Sequence, residues 1–165
     1  NRWGARMNHF IIRPMQAEDL EVISDMEREI FSDAWSKAAF EEELNSPLST
    51  LFVAVQEDGK IAGYLVLRCV YDEGEIINVA VAPKFRRLGC GRFLMESAFT
   101  QAKKAGLSVL MLEVRRSNHA AIKLYERFGF EKVGERKNYY YDPIEDAILM
   151  TCFLEKNEVV NSENG

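Results

Sequence analysis

Residues Val109-Leu110-Met111-Leu112-Glu113-Val114 are almost continuously apolar. A strand of that kind is covered on both faces, so it belongs to a sheet with helices on either side. The neighbouring segments supply those helices. Leu94, Met95, Ala98, Phe99 and Ala102 share one side of a helix over about 91–105, which Gly106 stops. Ala121, Leu124, Tyr125 and Phe128 mark a second helix, closed by Gly129. Upstream, Glu75 to Val81 reads as a strand ended by Pro83. Strand, helix, strand and helix in succession make a parallel crossover.

The remaining segments complete one α/β layer. Phe10 to Arg13 is a short strand stopped by Pro14, and Leu20, Ile23, Met26, Ile30 and Phe31 recur at helical spacing over 17–31. A short helix covers 36–45, with Ser36 as its cap. Strands at 51–56 and 61–70 flank a Glu-Asp-Gly-Lys turn, and two last strands, 132–140 and 147–155, flank Asp142-Pro143. The expected order is β-α-α-β-β-β-α-β-α-β-β, a mixed sheet of about seven strands with four helices. No Pro/Gly/Ser-rich linker interrupts it, so a single domain is expected over 7–157. Met7 reads as a start, and residues 1–6 and 158–165 as flexible ends.

Composition excludes several functions. The chain has 21 basic and 26 acidic residues in 165, a net charge of −5, which disfavours bulk nucleic-acid binding. No apolar run reaches the roughly 18 residues of a membrane helix, and no leader pattern is expected. Cys69, Cys90 and Cys152 are dispersed and odd in number, so neither a disulfide framework nor a metal pair is expected, and a reducing cytoplasm fits. His9 and His119 have no zinc spacing to them.

Against this acidic background, Lys84, Arg86, Arg87 and Arg92 place four positive charges in nine residues. They surround Arg86-Arg87-Leu88-Gly89-Cys90-Gly91, between a strand and a helix. Glycines let the backbone approach an anion, and free N–H groups at the helix start face it. The charge reversal points to a bound polyanion. A Walker loop needs Gly-Lys-Ser/Thr, which is absent, and a dinucleotide fingerprint needs glycine where Leu94 stands. A glycine turn beside a solvated basic face is the alternative.

The pattern Arg-x-x-Gly-x-Gly after Val-Ala-Pro resembles the pyrophosphate loop of the GCN5-related N-acetyltransferases (GNAT). The order of elements from Phe10 to Leu154 fits the same superfamily. Three segments resemble its ribosomal-protein-alanine N-acetyltransferase subfamily. They are Phe31-Ser32-Asp33-Ala34-Trp35-Ser36, then Leu112 to Asn118 running into Leu124 to Phe130, and last Arg136-Lys137-Asn138-Tyr139-Tyr140 with Asp146-Ala147.

The resemblance implies the GNAT fold, splayed between the strands at 75–81 and 109–114. It also implies direct acetyl transfer from acetyl-CoA to an amine, releasing coenzyme A. Arg86, Arg87, Leu88, Gly89, Cys90, Gly91 and Arg92 would hold the pyrophosphate. Val79, Ala80 and Val81 would meet the pantetheine arm by main-chain groups, with Asn118 beside it. Tyr125 would lie next to the sulfur and Glu113 near the amine. The implied acceptor is the N-terminal alanine of a small-subunit ribosomal protein.

The residues admit that chemistry. Amide formation needs a neutral amine, and an α-amine with pKa near 7.8 is roughly a quarter neutral at pH 7.4. One carboxylate suffices as base. Glu113, interrupting an apolar run, is the candidate; Glu75 is its rival, and pairing of Glu113 with Arg115 or Arg116 is the structural alternative. Tyr125 is either a core aromatic or the acid that protonates the departing thiolate. Backbone N–H groups of the splayed strand, Val79 for instance, suit an oxyanion. Cys90 has no histidine related to it in sequence, so a covalent role is not expected. Phe31, Trp35, Glu75, Tyr139 and Tyr140 are the candidate acceptor contacts, or else hairpin and loop packing. The tyrosines, being adjacent on a strand, should alternate in direction. A small amine as acceptor, and a non-catalytic acyl-CoA-binding module, stay open at this point.

Overall fold

A computed structural model describes residues 10–155. The expected ends, 1–6 and 158–165, and the outermost residues of the 7–157 domain lie outside the described residues.

Seven strands form one sheet: β1 (Ile11–Pro14), β2 (Ser49–Val55), β3 (Ile61–Val70), β4 (Glu73–Val81), β5 (Val109–Arg115), β6 (Glu131–Tyr140) and β7 (Glu145–Phe153). Their spatial order is β1-β2-β3-β4-β5-β7-β6. Four helices join them: α1 (Leu20–Ile30), α2 (Lys37–Leu44), α3 (Cys90–Lys104) and α4 (His119–Arg127). The expected element order holds, with one refinement: the first turn of the 17–31 helix is a separate 3₁₀ turn, Ala17–Asp19. There the Asp19 carboxylate accepts from Gln16 N–H and both Arg13 guanidinium nitrogens.

Each sheet face carries its own core. Leu65, Leu67, Ile76, Leu110, Leu112 and Val114 pack with Leu94 and Met95 of α3 and with Tyr125 of α4. Val53, Tyr64, Val66 and Ala80 pack on the other face with Leu20, Ile23 and Phe40 of α1 and α2. The apolar β5 run belongs to the first core alone: Leu110, Leu112 and Val114 pack there, while Met111, Glu113 and Arg115 on its other side are half-buried, so β5 lacks the cover on both faces that its sequence led one to expect.

Two irregularities shape the sheet's centre. β4 and β5 are its parallel pair, and their register runs only from Glu73–Val109 to Ile76–Leu112. Beyond that rung β5 stays paired with β7 through Arg115–Ala147, and β4 stays paired with β3 through Val81–Gly63. The two strands part into a wedge. A bulge sits at the same level: Val66 pairs with Asn78 and Leu67 with Ile76, leaving Ile77 extra.

Candidate active site

The β4 wall of the wedge is built from main chain. Ala82 N–H donates to the Ala62 carbonyl at 2.8 Å. Bonded rungs alternate in an antiparallel pair, so Ala80 is the next residue bonded to β3. The N–H and C=O groups of Val79 and Val81 therefore turn to the open edge, and Arg86 Nε reaches the Val81 carbonyl there at 3.3 Å. Ala80 does not share this arrangement. Its main chain faces β3 and its methyl group is buried under the α1–α2 layer.

At the wide end of the wedge, α3 begins. Arg87 (φ +66°) and Gly89 (φ +87°) take left-handed backbone two residues apart. Among the described residues, none of the amides from Arg87 to Arg92 donates to a protein acceptor. Those of Cys90, Gly91 and Arg92 are the orphan donors of a helix start. Gly91 is a close-packing glycine, since a Cβ there would stand 3.2 Å from Leu124 Cδ2. Consecutive free amides over the positive end of a fifteen-residue helix make an anion cradle. Arg87 and Arg92 are exposed beside it, with Arg92 3.6 Å from Glu96.

The Cys90 side chain points inward and is 1% exposed. Burial pushes its thiol up to about 12. A neutral thiol is a poor nucleophile.

Tyr125 stands on the α3–α4 face of the wedge. Its ring is buried and lies 6.0 Å from Phe130 between centroids. Burial pushes its phenol well above the ordinary tyrosine value, so the group is held protonated. Its hydroxyl makes no hydrogen bond to a described residue, and no sealed-off side-chain oxygen lacks a partner, so the hydroxyl retains access to the surface. Asn118 caps α4 by accepting from Ala121 N–H at 3.2 Å, which leaves its amide nitrogen free. His119, the next residue, is exposed.

Glu113 follows the last β4–β5 rung. It alternates with Leu112 and Val114, so it points to the opposite face from Tyr125. Its side chain is 22% exposed, and its carboxylate stands 3.7 Å from Arg136 Nε. The expected structural partners are engaged elsewhere, Arg115 with Asp33 and Glu145, and Arg116 with Asp146. Glu75 pairs with Met111, one rung before the parting. Both acids are on one face, but only Glu113 sits beyond the paired rungs.

The tyrosines depart from simple alternation. Between Arg136–Ala147 and Tyr140–Glu145, three residues of β6 oppose one of β7, and Asn138 takes φ +53°. This bulge lets both phenols approach Glu113. Tyr139 is pushed above the usual value chiefly by hydrogen bonding toward the Glu113 carboxylate, with Glu75 adding to it. Tyr140 is raised by burial first and then by Glu113. The two rings meet edge to face at 5.0 Å, under Arg136 and Arg115 respectively.

Phe31 and Trp35 occupy the loop between α1 and α2, packed against the second core. Arg115 joins this loop to the β6–β7 turn. It is 3.7 Å from Asp33, donates to the Tyr141 carbonyl at 2.8 Å and the Pro143 carbonyl at 3.0 Å, and covers the Tyr140 ring at 4.5 Å. Sequence reading does not reach this clamp, because its partners are spread along the chain from Asp33 to Glu145. It also leaves out Glu27. Four residues after Ile23 and seven after Leu20, that carboxylate falls on the apolar stripe of α1, which is a signal in itself.

A family model described as the Acetyltransferase (GNAT) family matches residues 20–130. The chain belongs to the GNAT family. The match runs from α1 to the start of β6 and leaves the tyrosine hairpin outside. The [ribosomal protein bS18]-alanine N-acetyltransferase of Escherichia coli K12 is 37% identical over 141 residues, covering 84% of this chain and 94% of that protein. The crystal structure of the ribosomal-protein-S18-alanine N-acetyltransferase from Escherichia coli superposes with a TM-score of 0.82 at 34% identity, covering 90% of this chain and 98% of the other. Arabidopsis thaliana NAA60, solved in complex with acetyl-CoA, shares the fold at 21% identity and a TM-score of 0.79, over 88% of this chain and 99% of its own.

Proposed function

We infer that this chain is an N-acetyltransferase that uses acetyl-CoA to acetylate the N-terminal α-amine of a protein. An N-terminal alanine of a ribosomal protein is the acceptor, as the names of the relatives suggest. When bound, acetyl-CoA supplies an acetyl group activated as a thioester. The amides of residues 87–92, with Arg86, Arg87 and Arg92, hold its diphosphate. Val79 and Val81 offer main-chain hydrogen bonds to the pantetheine arm, and the Asn118 amide stands beside it. Val79 N–H also faces the acetyl oxygen.

Glu113, alone or through a water, takes the proton of the acceptor ammonium. Tyr125 Oη holds the proton that the departing sulfur needs. Phe31, Trp35, Tyr139 and Tyr140 wall the acceptor slot, and Glu75 adds negative charge at its floor. The transfer is direct, because the buried Cys90 thiol is unsuited to carry the acyl group. One domain over 7–157 does this work, and the cytoplasm, where ribosomal proteins are made, is its compartment. No helix among the described residues is long and apolar enough to cross a membrane.

One observation carries the reading. The open β4 edge lies between a protonated phenol on one face and a carboxylate on the other, below an anion cradle. The test is thiol release from acetyl-CoA with short peptides. A free N-terminal alanine should support turnover, and the same peptide blocked at its amine should not. Faster turnover with polyamines or amino sugars would move the assignment to small amines. Tight acetyl-CoA binding without thiol release would make the chain a binding module.

A further inference from the structure

Glu27 is the most deeply buried carboxylate among the described residues, at 1% exposed, and it has no cation partner there. Three donors satisfy it. Tyr64 Oη and Asn78 Nδ2 donate to Oε1 at 2.8 and 2.9 Å, and the backbone N–H of Trp35 donates to Oε2 at 2.7 Å. These donors belong to three separate parts of the molecule. Tyr64 is in the interior strand β3. Trp35 is in the α1–α2 loop. Asn78 follows the β4 bulge and directly precedes Val79, whose N–H faces the wedge.

A buried charge is tolerated only when its hydrogen bonds are complete. Completing these three requires the loop and the bulged strand to sit at one fixed separation. The aromatic rings reinforce the arrangement, Trp35 on Phe40 at 5.1 Å and Phe40 on Tyr64 at 5.7 Å.

We propose that Glu27 is a positioning residue that couples the acceptor loop at Trp35 to the β4 wall at Asn78–Val79, setting the width of the site in which an acceptor amine meets the acyl group. The mechanistic part rests on the acetyl-transfer reading; the coupling itself does not. Geometry, rather than charge alone, is what Glu27 supplies. Glutamine can keep its oxygen on the Trp35 N–H and turn its amide to Tyr64 Oη and a rotated Asn78, both of which can accept. Leucine can do neither and leaves orphaned donors.

The chain has two tryptophans, Trp3 and Trp35, so Trp3→Phe leaves Trp35 as the sole tryptophan, read by excitation at the red edge where tyrosine does not absorb. In that background, acrylamide quenching of Trp35, acetyl-CoA affinity by calorimetry and peptide kinetics are compared for Glu27→Leu, Glu27→Gln and Asn78→Leu. Asn78→Leu leaves the Trp35–Glu27 bond untouched, so it carries the test if Glu27→Leu does not fold. Both leucine variants should raise Trp35 quenching and lower peptide kcat/KM about tenfold or more, the scale of one lost hydrogen bond to a charged group. Acetyl-CoA affinity, carried mainly by the cradle at residues 87–92, should fall clearly less than that, and glutamine should retain most of the wild-type values. Unchanged quenching in Asn78→Leu overturns the coupling, and so does an equal loss of coenzyme affinity. Increased quenching in a chain whose wild type acetylates no peptide would support the coupling and reject the acetyl-transfer reading instead.

Discussion

Glu113 and Tyr125 stand on opposite faces of the sheet, on either side of the gap that opens where β4 and β5 part after the Ile76–Leu112 rung. In the proposed reaction, a base and an acid so placed would address the two ends of one transfer without neutralising each other. The amine would then lie toward the tyrosine hairpin, and the sulfur toward α3 and α4.

Glu113→Gln should lower kcat by about tenfold to a hundredfold, at or below the lower end of the general-base range. An α-amine that is roughly a quarter neutral at pH 7.4 asks for little help. Raising the pH should recover activity in the variant, because hydroxide then neutralises the amine. A pH–rate profile from 6 to 9.5 with the alanine peptide checks both points, and an equal effect of Glu75→Gln would shift the role to Glu75.

Tyr125→Phe keeps the buried ring and deletes one hydroxyl. Stability should hold, acetyl-CoA KM should change little, and kcat should fall about tenfold or more. Burial holds the wild-type phenol protonated beyond the ordinary tyrosine range, so Tyr125 should impose no alkaline limb below about pH 10. Stopped-flow kinetics with stability measured in parallel separates this from packing loss.

Gly89→Ala places a Cβ at φ +87° in ordinary van der Waals contact, 3.7 Å from Phe93 Cε2, so its cost is backbone strain of about 1 kcal/mol and a re-aimed set of amides. Acetyl-CoA KM should rise about fivefold to tenfold, with peptide KM unchanged. Calorimetric titration of coenzyme A checks the same loss without turnover.

Arg115→Leu removes the clamp between the α1–α2 loop and the β6–β7 turn. Peptide KM should rise more than kcat falls, and acetyl-CoA KM should stay constant. Lysine should not restore it, because a point charge cannot meet two carbonyls, two carboxylates and a ring together. Steady-state kinetics with both substrates varied is the measurement.

Much of this was legible in the chain. The β5 run, the two flanking apolar stripes and the basic glycine loop led to the sheet and its crossover, because each is a local pattern with a direct physical meaning. The parting of β4 from β5 entered by resemblance and not from spacing. Neither bulge stands out in the chain: Ile77 carries no turn signal, and Asn138, a residue type that tolerates left-handed backbone, is a single such residue inside a strand pattern. That is why the tyrosines were expected to alternate and do not. The Arg115 clamp and the Glu27 junction depend on contacts between segments distant in sequence, and no periodicity encodes those.

Acid stability follows from Asp19. Hydrogen bonds from Arg13, then from Gln16, hold its carboxyl below the usual range, against an opposing desolvation. A folded value below the unfolded value of about 3.9 gives stability that is complete above that pH. It is lost as pH falls through the lower folded value. Thermal melts from pH 6 to 2.5 should decline more shallowly in Asp19→Asn than in the wild type.

The central claim is that the wedge receives acetyl-CoA with its sulfur between Tyr125 and Glu113. A crystal structure with acetyl-CoA or coenzyme A tests it most directly. The account predicts the diphosphate on the amides of residues 87–92, the pantetheine along Val79 and Val81, and the sulfur within hydrogen-bonding reach of Tyr125 Oη. A coenzyme bound outside the β4–β5 gap, or one whose sulfur points away from both side chains, would contradict it.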